Sequence, residues 1–120
     1  MSAYAERQEF KDLAWFNVNA VTLIAGLPVK IRGAGRFSLC VVNAQALELA
    51  IPNPAEIERV RSILADVFDD AVARLDVTHK GQVPTLKGTM EADLRRLAAP
   101  KFEALGLQLT QFTLEQWMPT

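Results

Sequence analysis

The alternation of apolar and polar residues between positions 29 and 41 gives the clearest structural signal in this sequence. Apolar residues fall on odd positions, and basic or small residues fall on most even ones. The odd set is Val29, Ile31, Phe37, Leu39 and Val41. A period of two predicts a strand with one face on a core and the other in water. Gly33 and Gly35 lie on the apolar side, where glycine often marks a bend, a bulge or the close approach of another backbone.

Two further strands are predicted on either side of the helical region. Residues 15–24 are rich in aromatic and β-branched types. A turn signal, Ala25-Gly26-Leu27-Pro28, separates them from the strand predicted over residues 29–41. We therefore expect an antiparallel hairpin. Residues 107–118 return to strand character, and the shift in the parity of their apolar positions predicts a bulge near Thr110 and Gln111.

A long helix is predicted to begin near position 54. Asn53 can cap it, Pro54 suits its first position, and Glu56 stands where a capping box places a carboxylate. Apolar residues then repeat at steps of three and four as far as Leu75. This pattern predicts one amphipathic helix of about six turns.

A short helix over residues 44–50, ended by Pro52, and a second long helix over residues 86–105 complete the predicted elements. Pro100 is expected to kink or split the second long helix. Glu91 and Arg95 are expected to form an ion pair on its surface, one turn apart.

The fold class predicted is α+β, because the strands are not interleaved one by one with the helices. We expect a mainly antiparallel β-sheet with the two long amphipathic helices packed on one face. Residues 13–120 should form this single domain, and residues 1–12 should be an N-terminal tail or an edge strand.

Composition limits the classes of function. The chain has 120 residues, half of them apolar and 22% charged, which is typical of one globular domain and not of a disordered chain. A formal net charge of −1 gives no general attraction to nucleic acid, so no nucleic-acid partner is expected. No apolar run is long enough to span a bilayer. A single cysteine is typical of a reducing compartment.

Residues that could carry catalysis are few. His79 is the one histidine and Cys40 the one cysteine, and neither has an activating partner nearby in sequence. The segment Gly33-Ala34-Gly35 begins like a dinucleotide fingerprint but lacks its last glycine and lies within a strand. We therefore expect no enzyme activity, no cofactor and no metal.

Two charged faces are the candidate interaction sites. A basic strand face carries Lys30, Arg32 and Arg36, and an acidic face of the first long helix carries Asp66, Asp69 and Asp70. Both could be ordinary solvated surfaces, with Asp70 paired to Arg74. Alternatively, the basic face of one copy meets the acidic face of the next, or the basic face docks on anionic headgroups.

Several segments resemble a known family. The run Val29-Lys30-Ile31-Arg32-Gly33-Ala34-Gly35-Arg36-Phe37-Ser38-Leu39 resembles the strand of SPFH (band-7) domains that ends in a glycine–aromatic step before a short helix. The two long helices resemble that family's central pair. The ending Gly106-Leu107-x-Leu109-x-x-Phe112-x-Leu114-x-x-Trp117-x-Pro119 is similar to its closing strand. The resemblance extends from about Trp15 to Pro119 and is closest to the bacterial flotillin-like virion-core-protein type.

This resemblance implies a non-catalytic scaffold domain that homo-oligomerises and organises a membrane-associated assembly. The expected partners are copies of the chain itself and an anionic membrane surface or a membrane protein. The expected location is cytoplasmic, peripheral at the inner membrane face. The alternative is a soluble protein- or lipid-binding module that forms no lattice. The family usually adds an N-terminal membrane anchor and a C-terminal coiled coil; neither pattern is visible here, so we expect an excised domain or a minimal relative.

Overall fold

The computed structural model describes residues 3–120, and three strands and three α-helices form most of that part of the chain. The strands are β1 (Glu9–Ile24), β2 (Leu27–Val41) and β3 (Leu107–Pro119), and the helices are α1 (Ala44–Ala50), α2 (Arg61–Ala73) and α3 (Lys87–Glu103). The sheet is antiparallel, with β2 between β1 and β3. Helix α2 packs over β1, α3 packs over β3, and the two helices touch each other. The predicted α+β class, with a mainly antiparallel sheet, is confirmed.

The hairpin between β1 and β2 turns through two residues. Ala25 and Gly26 have positive φ angles of 53° and 81°, which is the backbone of a type I′ turn, whose twist matches that of the strands it joins. Ile24 pairs with Leu27 directly before and after the turn. The hairpin was predicted correctly, but β1 begins at Glu9 and is six residues longer than the predicted strand, which started at Trp15.

Bulges interrupt both outer strands, whereas β2 is regular. Each outer strand has one extra residue at two places in its pairing with β2. One of them confirms the bulge predicted near Thr110 and Gln111, because Leu109 pairs with Leu39 and Gln111 pairs with Ser38. The extra residue of a bulge is left unpaired, and the strand that carries it bends and twists more strongly at that point.

The odd face of β2 is buried, as the alternating pattern predicts. Its large residues Val29, Ile31, Phe37, Leu39 and Val41 all lie in the core. The helices cover this face, so the even positions of β2 lie on the side of the sheet that none of the described helices covers.

Gly33 and Gly35 allow close contacts that a side chain would prevent. A Cβ atom on Gly33 would overlap the ring of Phe68, from α2, and one on Gly35 would overlap the carbonyl of Thr113, from β3. The indole of Trp15 lies over Gly35 and donates a hydrogen bond to that same carbonyl at 3.3 Å. Close approach is therefore the reason for both glycines.

An aromatic cluster fills the space above these glycines. Trp15 stacks on Phe112 with ring centroids 5.5 Å apart and packs against Phe68 at 5.6 Å. Phe68 in turn meets Trp117 edge to face at 5.9 Å. The cluster therefore joins all the layers, because its members come from β1, α2 and β3.

The predicted six-turn helix is wrong in its first two turns. Residues Pro54–Val60 form a 3₁₀-helix, and the α-helix begins only at Arg61 and has 13 residues. Asn53 caps as predicted, accepting a hydrogen bond from the Ala55 N–H at 3.1 Å, but the carboxylate of Glu56 lies 3.6 Å from Arg59 and closes no capping box. Residues three apart align on a 3₁₀-helix, which brings Ile57 and Val60 to the same side, against the core.

Of the two outcomes expected at Pro100, a kink or a split of the helix, the split is wrong, since α3 continues to Glu103. Pro100 lies in the last turn, where it has no N–H to give the Arg96 carbonyl and its ring crowds that carbonyl, yet only three helical residues follow it. The expected stop at Gly106 is present: Gly106 has a φ of 83° and donates to the Glu103 carbonyl at 3.0 Å.

The N-terminal segment is attached to the domain. Tyr4 is buried and its hydroxyl donates to the Ile51 carbonyl at 2.7 Å. The N–H of Arg7 donates to the Val41 carbonyl, and the N–H of Val41 donates to the Gln8 carbonyl. Of the predicted tail or edge strand, residues from position 9 belong to β1, and the first two residues lie outside the described part of the chain.

The contacts at Gly35 predict a large effect of one methyl group. Replacing Gly35 by alanine should destabilise the fold by about 3 kcal/mol or more, because backbone from β3 occupies the place of the new Cβ. Gly88→Ala is the matched control: no atom lies within 4 Å of the new Cβ, and the site is helical. It should be neutral or stabilising by up to about 1 kcal/mol. Urea denaturation measures both, and similar values for the two variants would contradict this account.

The stability above pH 10 should depend on Tyr4, the only tyrosine. Burial, and then the charges of Glu48 and Glu56, raise the pKa of Tyr4 above its ordinary value of 10.0. The folded state therefore keeps the proton when the unfolded chain has lost it, so this contribution is complete below pH 10 and decreases as the pH rises through the raised pKa. Tyr4→Phe should lower stability by about 1 kcal/mol at pH 7. The difference between the variant and the parent should shrink above pH 10; a constant difference up to pH 11.5 would contradict the raised pKa.

Candidate interaction surfaces

The three predicted basic residues lie together on the uncovered side of the sheet. Lys30, Arg32 and Arg36 occupy alternate positions of β2 and all are exposed. Arg36 is partly neutralised by Glu115, whose carboxylate lies 3.6 Å away. Within residues 3–120, neither Lys30 nor Arg32 has an acidic partner within 4 Å.

Apolar side chains surround these cations. In the pairing register, Val21 is directly opposite Lys30, and Met118 is directly opposite Arg32. Phe16 is 71% exposed and Leu23 is 64% exposed on the neighbouring strand. We call this surface the open face; its members are Phe16, Val21, Leu23, Lys30, Arg32, Arg36 and Met118. Large apolar residues grouped this way on a surface often mark an interaction site.

The predicted acidic residues are all exposed on α2, but their surroundings differ. Asp69 accepts a hydrogen bond from the side chain of Asn17 at 2.9 Å. Asp70 shares a depression of about 190 Å³ with Arg74 and Lys101, yet the predicted Asp70–Arg74 ion pair is not formed. Asp66 likewise has no basic partner within 4 Å in the described chain. The three acidic residues therefore have three different surroundings and do not form one uniform surface.

The free edge of β3 is occupied by side chains from α3. The carboxylate of Glu91 accepts from the N–H of Leu114 at 2.8 Å, and the guanidinium of Arg95 donates to the carbonyl of Phe112 at 2.9 Å. The surface ion pair predicted between Glu91 and Arg95 is not formed. Sequence spacing identified both residues but not this role, because the same spacing of one helical turn serves either arrangement.

The free edge of β1 is protected in its middle by a bulge. The side-chain oxygen of Asn17 accepts from the N–H of Asn19 at 2.9 Å, and its amide nitrogen donates to the Ala65 carbonyl of α2 at 3.0 Å. Bulges and side chains of this kind discourage the addition of another strand. Within the described chain, side chains therefore occupy two central backbone groups on the β3 edge and one, the Asn19 N–H, on the β1 edge.

A polar depression of about 400 Å³ lies where two bulges meet on either side of Ser38. The Ser38 hydroxyl accepts from the N–H of Asp12 at 3.1 Å and donates to Gln111 at 3.3 Å. Because the hydroxyl is used in both directions, the depression offers a polar surface and no free nucleophile.

His79 and Cys40 lie near opposite ends of strand β3. His79 is exposed and caps the 3₁₀ turn Lys80–Gln82, in a loop that Trp117 contacts through the Val83 carbonyl. Cys40 is half-buried on β2, opposite Gln108 at the other end of β3. Within residues 3–120 no group of three or more His, Cys, Asp or Glu side chains could hold a metal ion. The absence of enzyme activity stays a prediction.

Comparison with known proteins adds no relative: the chain matches no protein-family model and no curated protein. The resemblance to SPFH domains therefore stays a prediction. In the described residues, no helix has the length and apolar character needed to cross a bilayer.

Proposed function

We propose that this chain is a non-catalytic assembly module, which homo-oligomerises through its open face and organises a membrane-associated assembly. The observation that carries this proposal is the open face itself. It combines two cations that have no acidic partner within residues 3–120, Lys30 and Arg32, with large exposed apolar side chains on both neighbouring strands. The resemblance to scaffold domains of the SPFH type points the same way.

The sheet supports a face contact better than an edge contact. An antiparallel sheet can leave one face in water when that face is polar, but this face exposes Phe16 and Leu23. Three central backbone groups of the edges already have partners: the Asn19 N–H is bonded to Asn17, the Leu114 N–H to Glu91 and the Phe112 carbonyl to Arg95. A partner therefore gains more by covering the open face than by adding a strand.

The helix layer of a second copy fits the open face in charge. Its outer surface carries Asp66 and Asp70, which have no ion pair within the described chain, and the open face carries Lys30 and Arg32. Stacking helices on the open face would cover the sheet on both sides, as helices already cover its inner face. Such a contact is head-to-tail and closes into a ring or continues as a filament. The charges would set the orientation of the copies more than their affinity.

A second candidate is a protein- or lipid-binding module that uses the same face and forms no lattice. Lys30 and Arg32, beside the exposed Phe16 and Leu23, form the kind of surface that binds anionic headgroups. Each base near such a membrane contributes about 1 kcal/mol to binding. In this version the acidic residues of α2 have no part.

Charge reversal should separate these candidates. Lys30→Glu/Arg32→Glu and Asp66→Lys/Asp70→Lys should each weaken self-association by about tenfold or more, because attraction between exposed charges becomes repulsion. An equimolar mixture of the two variants should associate again, since the acidic open face of one then meets the basic helix of the other. Sedimentation velocity across a concentration series at about 0.05 M and 0.5 M salt measures the self-association. High salt should weaken the self-association of the parent protein, because it screens exposed charges.

The control variant Lys80→Glu/Lys87→Glu makes the same change in net charge as Lys30→Glu/Arg32→Glu, at two exposed positions that belong neither to the open face nor to α2. It should associate as the parent does. A parent protein that stays monomeric at the highest soluble concentration would refute self-association. Flotation with anionic but not neutral vesicles, lost in Lys30→Glu/Arg32→Glu and kept in Asp66→Lys/Asp70→Lys, would favour the lipid-binding alternative.

A further inference from the structure

We infer that β3 carries a latent strand-addition site for the β3 strand of a second copy, and that docked helix α3 keeps this site closed through Glu91 and Arg95. This inference goes beyond the proposed function and does not depend on the open face. It concerns the edge of the sheet, and it describes two states of α3 that exclude each other.

Phe112 and Leu114 present their backbone groups on the free side of β3. Between them, the carbonyl of Thr113 points the other way, toward Gly35 of β2, where the indole of Trp15 donates to it. Successive residues of a strand direct their backbone groups to opposite sides. The Phe112 carbonyl and the Leu114 N–H are therefore the groups that an added strand would use, and α3 now holds both.

Glu91 and Arg95 imitate such an added strand. Residues four apart on a helix rise by about 6 Å along its axis, and residues two apart on a strand advance by about 6.6 Å. One turn of α3 therefore matches one repeat of β3. The carboxylate takes the place of a strand's carbonyl on the Leu114 N–H, and the guanidinium takes the place of a strand's N–H on the Phe112 carbonyl.

A second β3 strand is the partner that fits this edge best, because the edge is complementary to itself. In an antiparallel pair centred on Thr113 and its counterpart, Phe112 of each copy is opposite Leu114 of the other. Each such pair exchanges an N–H and a carbonyl in both directions. The groups that Glu91 and Arg95 occupy are thus the groups that two copies would share.

Docked α3 and strand pairing cannot coexist. Adjacent strands lie about 4.8 Å apart, whereas packed helices need about 8–10 Å between their axes. Two copies that joined their β3 strands with both α3 helices in place would force these helices together. Addition of a strand therefore requires α3 to move away, and the two hydrogen bonds to β3 oppose that movement together with the buried side chains of α3.

Removing the two side chains should open the edge. In Glu91→Ala/Arg95→Ala, the Leu114 amide should exchange with deuterium about tenfold faster or more, because it loses its acceptor and α3 opens more often. The matched control is Asp93→Ala/Arg96→Ala, which removes an exposed ion pair of 3.5 Å from the same helix and spares β3. Glu91→Gln keeps an acceptor oxygen and should retain most of the protection.

A cysteine at position 113 tests the proposed pairing directly. Residues opposite each other at such a position have Cα atoms about 4.5 Å apart, which a disulfide can bridge. In a Cys40→Ser background, Thr113→Cys should form a disulfide-linked dimer about tenfold faster with Glu91→Ala/Arg95→Ala than with Asp93→Ala/Arg96→Ala. Because the Thr113 hydroxyl accepts from the Arg36 N–H, deuterium exchange is measured on variants that keep this threonine.

Unchanged exchange at Leu114 in Glu91→Ala/Arg95→Ala would overturn the role of α3 as a lock. Equal rates of dimer formation in the two helix variants would overturn the latent site. Adding Lys30→Glu/Arg32→Glu to both helix variants should leave Glu91→Ala/Arg95→Ala the faster of the two in dimer formation. The test of the β3 edge is therefore independent of assembly through the open face.

Discussion

The contact of Trp15 and Thr113 above Gly35 is the constraint on which the rest of the fold depends. At this point the central strand must admit backbone from β3 and an indole from β1, and two residues earlier Gly33 admits the ring of Phe68 from α2. These three elements can pack closely on β2 because Gly33 and Gly35 have no side chains. The aromatic cluster that results joins sheet to helix, and it lies on one side only. Everything that is charged on β2 is thereby left on the other side.

The one-sided core explains why the molecule has an open face and closed edges. Helices α2 and α3 lie over β1 and β3, and hydrogen bonds join each helix to the strand beside it. On β1 the side chain of Asn17 donates to the Ala65 carbonyl of α2, and on β3 the Phe112 carbonyl and the Leu114 N–H bond to the side chains of Arg95 and Glu91. No helix reaches the opposite surface, so Lys30 and Arg32 have no partner within the described residues. Because the helices bury one face of the sheet, the cations that lack acidic partners lie on the opposite face.

The sequence predicted those features that a repeat of two residues specifies, and it failed where one spacing serves two structures. Parity located the buried face of β2, its three bases and the bulge at Thr110. Ile57 and Val60, three residues apart, fit a 3₁₀-helix as well as an α-helix, so the start of α2 was misplaced. Glu91 and Arg95 have the spacing of an ion pair, yet each reaches β3. The apolar neighbours of Lys30 and Arg32 follow from strand register, which no single strand encodes.

Concentration should decide between the two proposed contacts, one through the open face and one through the edge of β3. The side chains of α3 are tethered beside β3, and tethered groups act at effective concentrations of about millimolar or above. A strand from another molecule must exceed that concentration, or find α3 displaced, before it can take the place of Glu91 and Arg95. The open face has no competitor within the described chain, so a partner there displaces only water. At ordinary protein concentrations the proposed self-association is therefore expected to use the open face, and the proposed strand pairing is expected only in molecules in which α3 has moved.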